Sequence, residues 1–467
     1  MRVAVYLSQL NAELREKIAA HIQATWSDAT IKNETHADTN ARNEASLLIC
    51  DKGSPEFEKT STLREIVVVR GLTIEQTLFL VDAKLGKLTN FNSISAVPKA
   101  PAKSTISRRQ FLLGSFAKPA QVQHPSVIVD DSCEAKFGCS TCVDACPAPG
   151  ALKIENKSII VSGKHCIECG ICAGVCPVSA IQMRRFPEDA YRGLLKSIHD
   201  SPAPTKTLVI TCNRKSVAQQ PWMDIEEVHG IGFIGARQLA IAAGSSIGAL
   251  LVYCPDGLCA GKEHTKQAAE LISSIMKDES APVFSYLEGK EGALQINEIH
   301  KSARARKSAF APSGTPWKDY VRAIKSILNQ GTQAEGLGLT EMEVSDSCTL
   351  CYACVESCPH QALAIDQDKL NFQPDECTGC GYCEQICPER SITLSEMGEA
   401  INLTPRTVYK DEMIRCARCN TPYVSAKMFK KVSQALEDNK TPAIRLCQSC
   451  RQDEAYKRIL GGPQGEN

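Results

Sequence analysis

The sequence of 467 residues lacks the long apolar run that a membrane-spanning helix requires. Its most apolar stretch, residues 233–254, is interrupted by Arg237 and by polar and glycine residues. The first residues, MRVAVYLSQLNAEL, contain neither a basic region, nor a long apolar segment, nor the small-residue cleavage site of a secretory signal. We therefore expect a cytoplasmic protein without membrane insertion.

The chain also has no formal net charge and few aromatic side chains, and both features bear on its possible partners. The chain has 53 basic and 53 acidic side chains, so no global field favours a nucleic acid or an anionic membrane surface. Aromatic residues make up 5% of the composition, too few to provide stacking platforms for single strands. No Ser–His–Asp set, paired carboxylates or phosphate loop is recognisable, so we expect no nucleic-acid partner and no catalytic activity.

Cysteine is abundant instead, and all of its 24 residues except Cys50 fall into four groups. Eight lie between 133 and 176, three between 212 and 259, eight between 348 and 387, and four between 416 and 450. Disulfides form in oxidising compartments, which a chain without an export signal does not reach. The grouped cysteines therefore predict metal sites.

Sixteen of these cysteines form four motifs of one type. Three motifs have the spacing C-x2-C-x2-C-x3-C-P, and the fourth, at 133–147, has C-x5-C-x2-C-x3-C-P. Two-residue spacers let one tight loop direct three thiolates at a cubane cluster, whereas a zinc site needs two separate pairs. We expect the proline to fix the entry to a helix that begins at the last cysteine. The spacing predicts iron–sulfur clusters.

Each pair of motifs resembles a bacterial two-[4Fe-4S] ferredoxin, including the hairpin between the motifs and the ends CPVSAIQM and CPERSITL. The resemblance implies four [4Fe-4S] clusters with crossed ligation, in which the last cysteine of each motif binds the neighbouring cluster. In the first module, 126–185, the implied sets are Cys133, Cys139, Cys142 and Cys176, and Cys166, Cys169, Cys172 and Cys146. In the second module, 341–396, they are Cys348, Cys351, Cys354 and Cys387, and Cys377, Cys380, Cys383 and Cys358.

The gap EAKFG between Cys133 and Cys139 departs from this family pattern. All four ligands remain, so the [4Fe-4S] expectation stands for this cluster. We expect its loop, and the hydrogen bonds around it, to differ from those of the other three.

The segment before the first cluster motif predicts a small α/β domain at 1–94, because short apolar strands alternate with a helical pattern. The strands are predicted at 3–7, 46–50 and 65–69, and the helix at 12–24. Residues 95–125 are rich in proline, serine and lysine and predict a linker. Its SRRQFL segment has the form of a twin-arginine signal, but it is internal and its apolar stretch is short. A similar segment precedes the clusters in the accessory ferredoxin of periplasmic nitrate reductase, so we expect a docking element or a plain linker.

Residues 205–290 predict a second α/β domain with a parallel sheet, because strands and helices alternate. The strands are predicted at Thr207–Thr211, 249–253 and 282–286, and the helices at 236–243 and 264–276. The glycines of GIGFIG do not follow the dinucleotide-binding order, so we expect a tight turn before a helix there. Residues 291–340 predict a linker.

This second α/β segment resembles the delta, iron–sulfur subunit of methyl-viologen-reducing hydrogenases and the related tail of heterodisulfide reductase. In that family, cysteines at corresponding strand ends bind a [2Fe-2S] cluster. The residues that correspond here are Cys212, Cys254 and Cys259, with His229 in the place of a further cysteine. One more family cysteine is absent, so two hypotheses stay open: a [2Fe-2S] cluster held by these four residues, or a degenerate domain kept for docking.

The last four cysteines form two C-x2-C pairs, Cys416 with Cys419 and Cys447 with Cys450. This two-plus-two arrangement predicts a four-cysteine zinc site, with a mononuclear iron as the alternative. A helical pattern at 426–436 fills the interval between the pairs. Residues 404–460 carry 12 basic and 6 acidic side chains, so this region is either a contact face or a solvated basic surface.

The combined prediction is a multidomain α/β and α+β fold with two dicluster ferredoxin-like modules, α/β domains before and between them, and a C-terminal zinc-ribbon-like domain. The predicted segments are 1–94, 95–125, 126–185, 205–290, 291–340, 341–396 and 404–460.

The layout resembles the multi-cluster ferredoxin-like proteins encoded beside molybdenum formate dehydrogenases. The resemblance implies a protein that relays single electrons through four [4Fe-4S] clusters to or from a redox partner such as formate dehydrogenase. A second hypothesis is an accessory protein that docks on an apo-oxidoreductase and assists cofactor loading. The zinc pairs, the arginine linker and the incomplete middle site favour this second hypothesis.

Overall fold

A computed structural model gives the fold of most of the chain. It describes residues 3–8, 10, 12–27, 29–32, 45–50, 64–68, 72–89, 127–184, 186–212, 216–276, 282–305, 311–327, 335–398, 401–436 and 442–460. The chain packs as two compact units, the first containing 1–136 and 140–332 and the second 137–139 and 333–467. The predicted linker at 95–125, with its SRRQFL segment, lies outside the described residues.

The N-terminal segment forms a four-stranded sheet with the strand order β2-β1-β3-β4, and all of its pairs are parallel. Its elements are β1 (Val3–Ser8), α1 (Ala12–Thr25), β2 (Ala29–Lys32), β3 (Ala45–Cys50), β4 (Arg64–Val68) and α2 (Ile74–Thr89). The three predicted strands and the predicted helix are confirmed to within two residues over the described range. Strand β2 and helix α2 were not predicted. Val5, Leu47 and Ile18 are fully buried in the core of this sheet.

The first cysteine-rich module is built from short strands and short helices. Its elements are β5 (Val127–Val129), α3 (Thr141–Asp144), β6 (Leu152–Glu155), β7 (Ser158–Val161), α4 (Ile171–Val175) and β8 (Ile181–Met183). Strands β6 and β7 form the hairpin expected between the two motifs, and β5 pairs antiparallel with β8. The module therefore begins and ends on one small sheet, which holds its loops together.

The middle segment contains a parallel sheet in the order β10-β9-β11-β12, as the alternating pattern predicted. Its elements are α5 (Glu188–Asp200), β9 (Thr207–Thr211), β10 (Met223–Glu227), α6 (Ala236–Gly244), β11 (Ala249–Cys254), α7 (Lys262–Ile275) and β12 (Val283–Glu288). A single 3-10 turn at Ile231–Phe233 precedes α6, which confirms the tight turn expected for the GIGFIG segment. Strands β9 and β11 are buried along their whole length.

Residues 291–340, predicted to be a linker, instead contain most of helix α8 (Gly289–Ser302) and all of helix α9 (Pro316–Ile327). The buried side chains of α9 are Trp317, Tyr320, Val321 and Ile324. Their spacing of three, four and seven residues is that of one apolar helix face. The linker prediction was wrong here because the apolar stripe of α9 is short and is flanked by segments without a clear apolar period.

The second unit contains the second cysteine-rich module followed by the C-terminal cysteine pairs. Its elements are β13 (Thr340–Val344), α10 (Ala353–Ser357), β14 (Leu363–Asp366), β15 (Lys369–Phe372), α11 (Tyr382–Ile386), β16 (Ile392–Glu396), β17 (Arg406–Lys410), β18 (Met413–Arg415), β19 (Pro422–Ser425), α12 (Ala426–Ala435) and α13 (Gln448–Leu460). Strands β13 and β16 pair as β5 and β8 do, and β14 and β15 form the second hairpin. The helix predicted at 426–436 is confirmed as α12. The mixed α/β multidomain fold class is therefore confirmed, whereas the zinc-ribbon-like C-terminal domain and the other segment boundaries stay predictions.

Among the described residues, no helix has both the length and the apolarity needed to cross a bilayer.

Candidate metal centres

Three of the four cysteine motifs share one loop geometry. In each, the residue after the second cysteine has a left-handed backbone and begins a helix: Gly170 (φ +84°), Tyr352 (φ +68°) and Gly381 (φ +77°). A left-handed residue turns the chain sharply, so the cysteines before and after it face the same side of the loop. Glycine adopts this conformation without a steric cost, whereas Tyr352 adopts it against its intrinsic preference. In these three motifs, the same backbone conformation thus recurs with the same cysteine spacing.

The Cys-Pro step lies at the end of each short helix. Cys176, Cys358 and Cys387 directly follow α4, α10 and α11, with ψ angles of 113°, 114° and 112°. Our expectation that this cysteine begins a helix was wrong. The proline ring excludes helical geometry from the residue before it, so the helix stops and the cysteine is held in an extended conformation.

Two cavities are each lined by four cysteines. The cavity in the first module has a volume of about 350 Å³, and its cysteines are Cys146, Cys166, Cys169 and Cys172. The cavity in the second module has a volume of about 320 Å³, and its cysteines are Cys348, Cys351, Cys354 and Cys387. Each group combines three cysteines of one motif with the last cysteine of the paired motif. These are two of the four sets that the ferredoxin resemblance implies.

The electrostatic neighbours of the buried thiols follow the same grouping. Burial raises the pKa of Cys354 to about 12, and the thiols of Cys348, Cys351 and Cys387 raise it as well. Burial also raises the pKa of Cys377 to about 12, and its neighbouring thiols are Cys380 and Cys358. Such thiols lose their protons readily only to a bound cation, because a coordinating metal deprotonates its thiol. The donor chemistry therefore fits an iron–sulfur cluster, while crossed ligation itself stays a prediction.

Backbone amides donate hydrogen bonds to the last cysteine of both motifs in the second module. The N–H of Ala362 donates to Cys358 Sγ at 3.3 Å, and the N–H of Ser391 donates to Cys387 Sγ at 3.4 Å. Burial alone would raise the pKa of Cys387, but the Ser391 hydroxyl and the backbone N–H groups of Ser391, Glu389 and Arg390 lower it. Donors of this kind stabilise a thiolate and are one of the factors that set a cluster's reduction potential.

The motif with the five-residue gap differs in its loop, as expected. The extra residues form a 3-10 turn at Glu134–Phe137, and Gly138 carries the positive φ of +106°. Ser140, which begins α3, has a φ of −124° where the other three motifs have a left-handed residue. Cys133, Cys139, Cys142 and Cys176 stay the predicted ligands of this cluster.

Arg237 is a functional candidate that the sequence reasoning missed. This residue of α6 is 6% exposed and lies 3.5 Å from Glu188 Oε2, where it also donates a hydrogen bond to the hydroxyl of Ser179. Burial raises the pKa of Cys176, and the charge of Arg237 opposes that effect. A guanidinium here would offset the negative charge of a thiolate-bound cluster. The sequence feature that could have identified this residue is a single arginine inside the apolar segment GFIGARQLAIAA.

The middle domain brings three of its four candidate ligands together. Cys212, Cys254 and Cys259 have their Sγ atoms within 4.8 Å of one another. His229 does not belong to this group, and its side chain is exposed on the loop after β10. Burial and the thiol of Cys254 raise the pKa of Cys212 to about 11. The three thiols thus form a compact donor set without the histidine.

The four C-terminal cysteines also form one compact group. The Sγ atoms of Cys416, Cys419, Cys447 and Cys450 all lie within 4.8 Å of one another. The N–H of Cys447 donates to Cys416 Sγ at 3.3 Å. Burial would raise the pKa of Cys416, but this bond and the amides of Cys419 and Arg418 lower it to about 6. A four-thiol group with amide donors fits one tetrahedral metal ion.

We expect Cys416→Ser or Cys450→Ser to abolish zinc binding by the C-terminal pairs and leave the iron content unchanged. Loss of one thiolate opens a structural site, and structural zinc contributes folding free energy directly. Metal analysis and the protease resistance of 413–460 measure the two effects. Ser449→Ala, which alters an exposed residue between Cys447 and Cys450, is the matched control and should retain zinc. Equal losses of iron and zinc would mean that these cysteines hold a cluster.

Comparison with known proteins identifies two ferredoxin-type stretches. A 4Fe-4S dicluster domain matches residues 347–391, and a 4Fe-4S binding domain matches residues 159–182. The first match contains all eight cysteines of the second module, and the second match contains Cys166, Cys169, Cys172 and Cys176. The chain is also 37% identical over 70 residues to ABC transporter E family member 1 of Arabidopsis thaliana. That similarity covers 14% of this chain and 12% of the relative's length.

Proposed function

We propose that this chain, an iron–sulfur protein with two 4Fe-4S ferredoxin-type domains, relays single electrons through four [4Fe-4S] clusters. The observation that carries the proposal is the pair of cysteine-lined cavities. Each combines three cysteines of one motif with the last cysteine of its partner motif. Crossed ligation ties two clusters into one small module, so electrons have a short path between them.

When bound, the clusters supply one-electron exchange, and the chain's own residues determine where and at what potential it occurs. Apolar side chains such as Leu370 and Ile392 line the cavity of the second module beside the cysteines and limit the access of water. Amide donors to Cys358 and Cys387 and the guanidinium near Cys176 stabilise negative charge at the sulfurs. Burial lowers a cluster's reduction potential, whereas donors and positive charge raise it.

The C-terminal segment covers one loop of the second module. The Ser425 hydroxyl donates to the carbonyl of Thr349 at 2.6 Å, and Lys431 pairs with Glu389 at 2.6 Å. Thr349 lies between two cluster cysteines, and Glu389 follows the Cys387-Pro388 step. We propose that a zinc ion bound by Cys416, Cys419, Cys447 and Cys450 holds this cover in place. The basic side chains of this C-terminal segment then provide a docking face for an acidic surface on the partner.

The proposed partner is a cytoplasmic redox enzyme of the formate dehydrogenase class, on the ferredoxin-like layout that the sequence resembles. A protein that only docks and helps to load a cofactor onto an apo-oxidoreductase is the second candidate. The observations that favour it are the four-cysteine C-terminal module and the N-terminal α/β sheet, because neither carries a cluster motif. The two functions differ in whether the clusters exchange electrons with the partner during its turnover.

Anaerobic purification of the tagged native chain, with identification of the subunits that co-elute, tests the proposal. We expect the reconstituted chain to hold about sixteen irons and sixteen sulfides, and its visible absorption to bleach on mixing with the reduced partner at a rate matching turnover. The zinc-free Cys450→Ser variant should keep its iron and accept electrons once docked.

Two outcomes would contradict the relay. An iron content of about eight or fewer after full reconstitution would exclude two dicluster modules. Clusters that stay oxidised while the bound partner turns over would favour the accessory function. In that case, the partner made in cells that lack this chain should be deficient in its own cofactor.

A further inference from the structure

The three thiols of the middle domain meet at one edge of its parallel sheet. Thr211 of β9 lies opposite Tyr253 of β11, so the next residues, Cys212 and Cys254, leave neighbouring strands side by side. Cys259 returns to the same place through a short loop, and the N–H of Lys262 at the start of α7 then donates to its carbonyl. The carboxyl ends of parallel strands are where such sheets present their ligand sites.

The spacing of the thiols matches a single ion. Cys254 Sγ lies 3.2 Å from Cys259 Sγ and 3.9 Å from Cys212 Sγ. Two thiolates on one tetrahedral zinc, each at about 2.3 Å, stand about 3.8 Å apart. A [2Fe-2S] core divides its ligands between two irons, so thiolates on opposite irons must stand farther apart than those on one ion.

The contrast with the other cysteines supports this interpretation. Among the described residues, three or more sulfur atoms that all lie within 4.8 Å of one another occur in two groups, this one and the four C-terminal cysteines. The sixteen ferredoxin-type cysteines, all of which are described, belong to neither group. Ligands of a cubane each bind a different iron and are held apart, so the structure separates cluster-type from ion-type spacing.

Asp256 lies in the loop between Cys254 and Cys259. Its Oδ1 atom accepts two hydrogen bonds, one from the Cys254 thiol at 3.1 Å and one from the N–H of Leu258 at 3.1 Å. Gly257 turns this loop with a φ of +68°. The group of donor atoms that lie within 4.8 Å of one another contains no Asp256 oxygen, so Asp256 stands beside the three thiols without completing their set.

We propose that Cys212, Cys254 and Cys259 bind one zinc ion as thiolates, with a water molecule as the fourth, oxygen ligand. His229 takes no part. The site joins the ends of β9 and β11 to the start of α7. This inference does not rest on the electron relay, because a structural zinc here is compatible with either function of the whole chain.

The test uses the full reconstituted chain with Cys416→Ser and Cys450→Ser together, so that zinc reports on the middle site alone. We expect one zinc per chain, and X-ray absorption at the zinc edge should show about three sulfurs at about 2.3 Å and one oxygen at about 2.0–2.2 Å. Because the middle site is unmutated in this measurement, the result does not depend on the folding of a ligand variant.

In the same background, Cys259→Ser should weaken zinc retention against a chelator by roughly 10-fold or more, because it removes one of the three thiolates and even the loss of an outer-sphere partner costs this much. Glu288→Gln, which alters a carboxylate paired with Lys262 beside this loop, is the matched control and should leave retention unchanged. His229→Ala should also leave it unchanged.

Three results would overturn the proposal. The first is two irons above the sixteen expected, with a [2Fe-2S] spectrum that Cys259→Ser removes. The second is a chain without zinc in this background, which would favour a degenerate docking domain. The third is a zinc edge with imidazole scattering that His229→Ala abolishes.

Discussion

Cys146→Ala is expected to damage the cluster of the following motif and to leave the cluster of its own motif intact. Cys146 lies in the motif at 133–147, but it lines the same cavity as Cys166, Cys169 and Cys172. The thiols that raise the pKa of Cys169, after the larger effect of burial, are Cys146 and Cys166. Removing Cys146 therefore takes away one of four ligands from that cluster.

The expected product is a [3Fe-4S] species or the loss of one whole cluster, because three thiolates can retain a cuboidal core that lacks one iron. Electron paramagnetic resonance of the reduced chain, combined with iron analysis, separates these outcomes. Cys146→Ala and Cys169→Ala should perturb the same signal. Cys139→Ala should perturb a different one, held by Cys133, Cys142 and Cys176.

The equivalent pair in the second module provides a check inside the same chain. Cys387→Ala and Cys351→Ala should share one signal, since both residues line the other cavity. If Cys146→Ala and Cys139→Ala instead abolish a common signal and spare that of Cys169, each motif binds its own cluster. The ferredoxin arrangement would then be wrong for the first module.

Glu226→Gln is expected to destabilise the junction between the N-terminal sheet and the middle domain by about 3–5 kcal/mol. Helix α2 inserts Lys84 and Lys87 against the edge strand β10, where they meet Asp224 and Glu226. Lys84 Nζ lies 2.8 Å from Asp224 Oδ1 and 2.5 Å from Glu226 Oε1, and the second oxygen of Glu226 pairs with Lys87. Lys84 and Asp224 are completely buried. Removing one carboxylate leaves two buried ammonium groups with a single counter-charge.

The pH dependence of this contribution follows from the pKa of Glu226. Burial alone would raise that pKa, but Lys84 and Lys87 lower it from 4.5 to about 2. A carboxyl group with a depressed folded-state pKa stabilises the fold fully above its unfolded value. The contribution is lost only as the pH falls from 4.5 towards 2. The difference between wild type and Glu226→Gln should therefore be the same at about pH 6 and about pH 8.

Amide hydrogen exchange of residues 74–89 measures locally how much stability Glu226→Gln removes. A local measurement is needed because the domains of this chain need not unfold together. We expect protection of α2 to fall by roughly 100-fold or more. Glu270→Gln, at an exposed position of α7, is the control and should change protection little. Unchanged protection of α2 in Glu226→Gln would show that apolar packing alone holds the junction.

The features that the sequence determined by itself are those encoded over short distances along the chain. A motif such as Cys377 to Cys387 contains its own loop, so its spacing was sufficient to predict iron–sulfur ligands. The C-x2-C pairs and the alternation of apolar strands with helical patterns are local in the same sense. They gave the parallel sheet of β9 and β11, the two hairpins and helix α12.

Other features were decided only by the tertiary structure, because they depend on residues that are distant in sequence. Lys84 and Glu226 are 142 positions apart, and no local sequence pattern around either residue predicts that they form an ion pair. Arg237 reaches Cys176 only because α6 packs against the first module. His229 matched a family position, yet the fold leaves it exposed and brings Cys212 beside Cys254 instead. Spacing along the chain fixes which side chains can share one loop, whereas charge pairing and the choice among distant donors are fixed by packing.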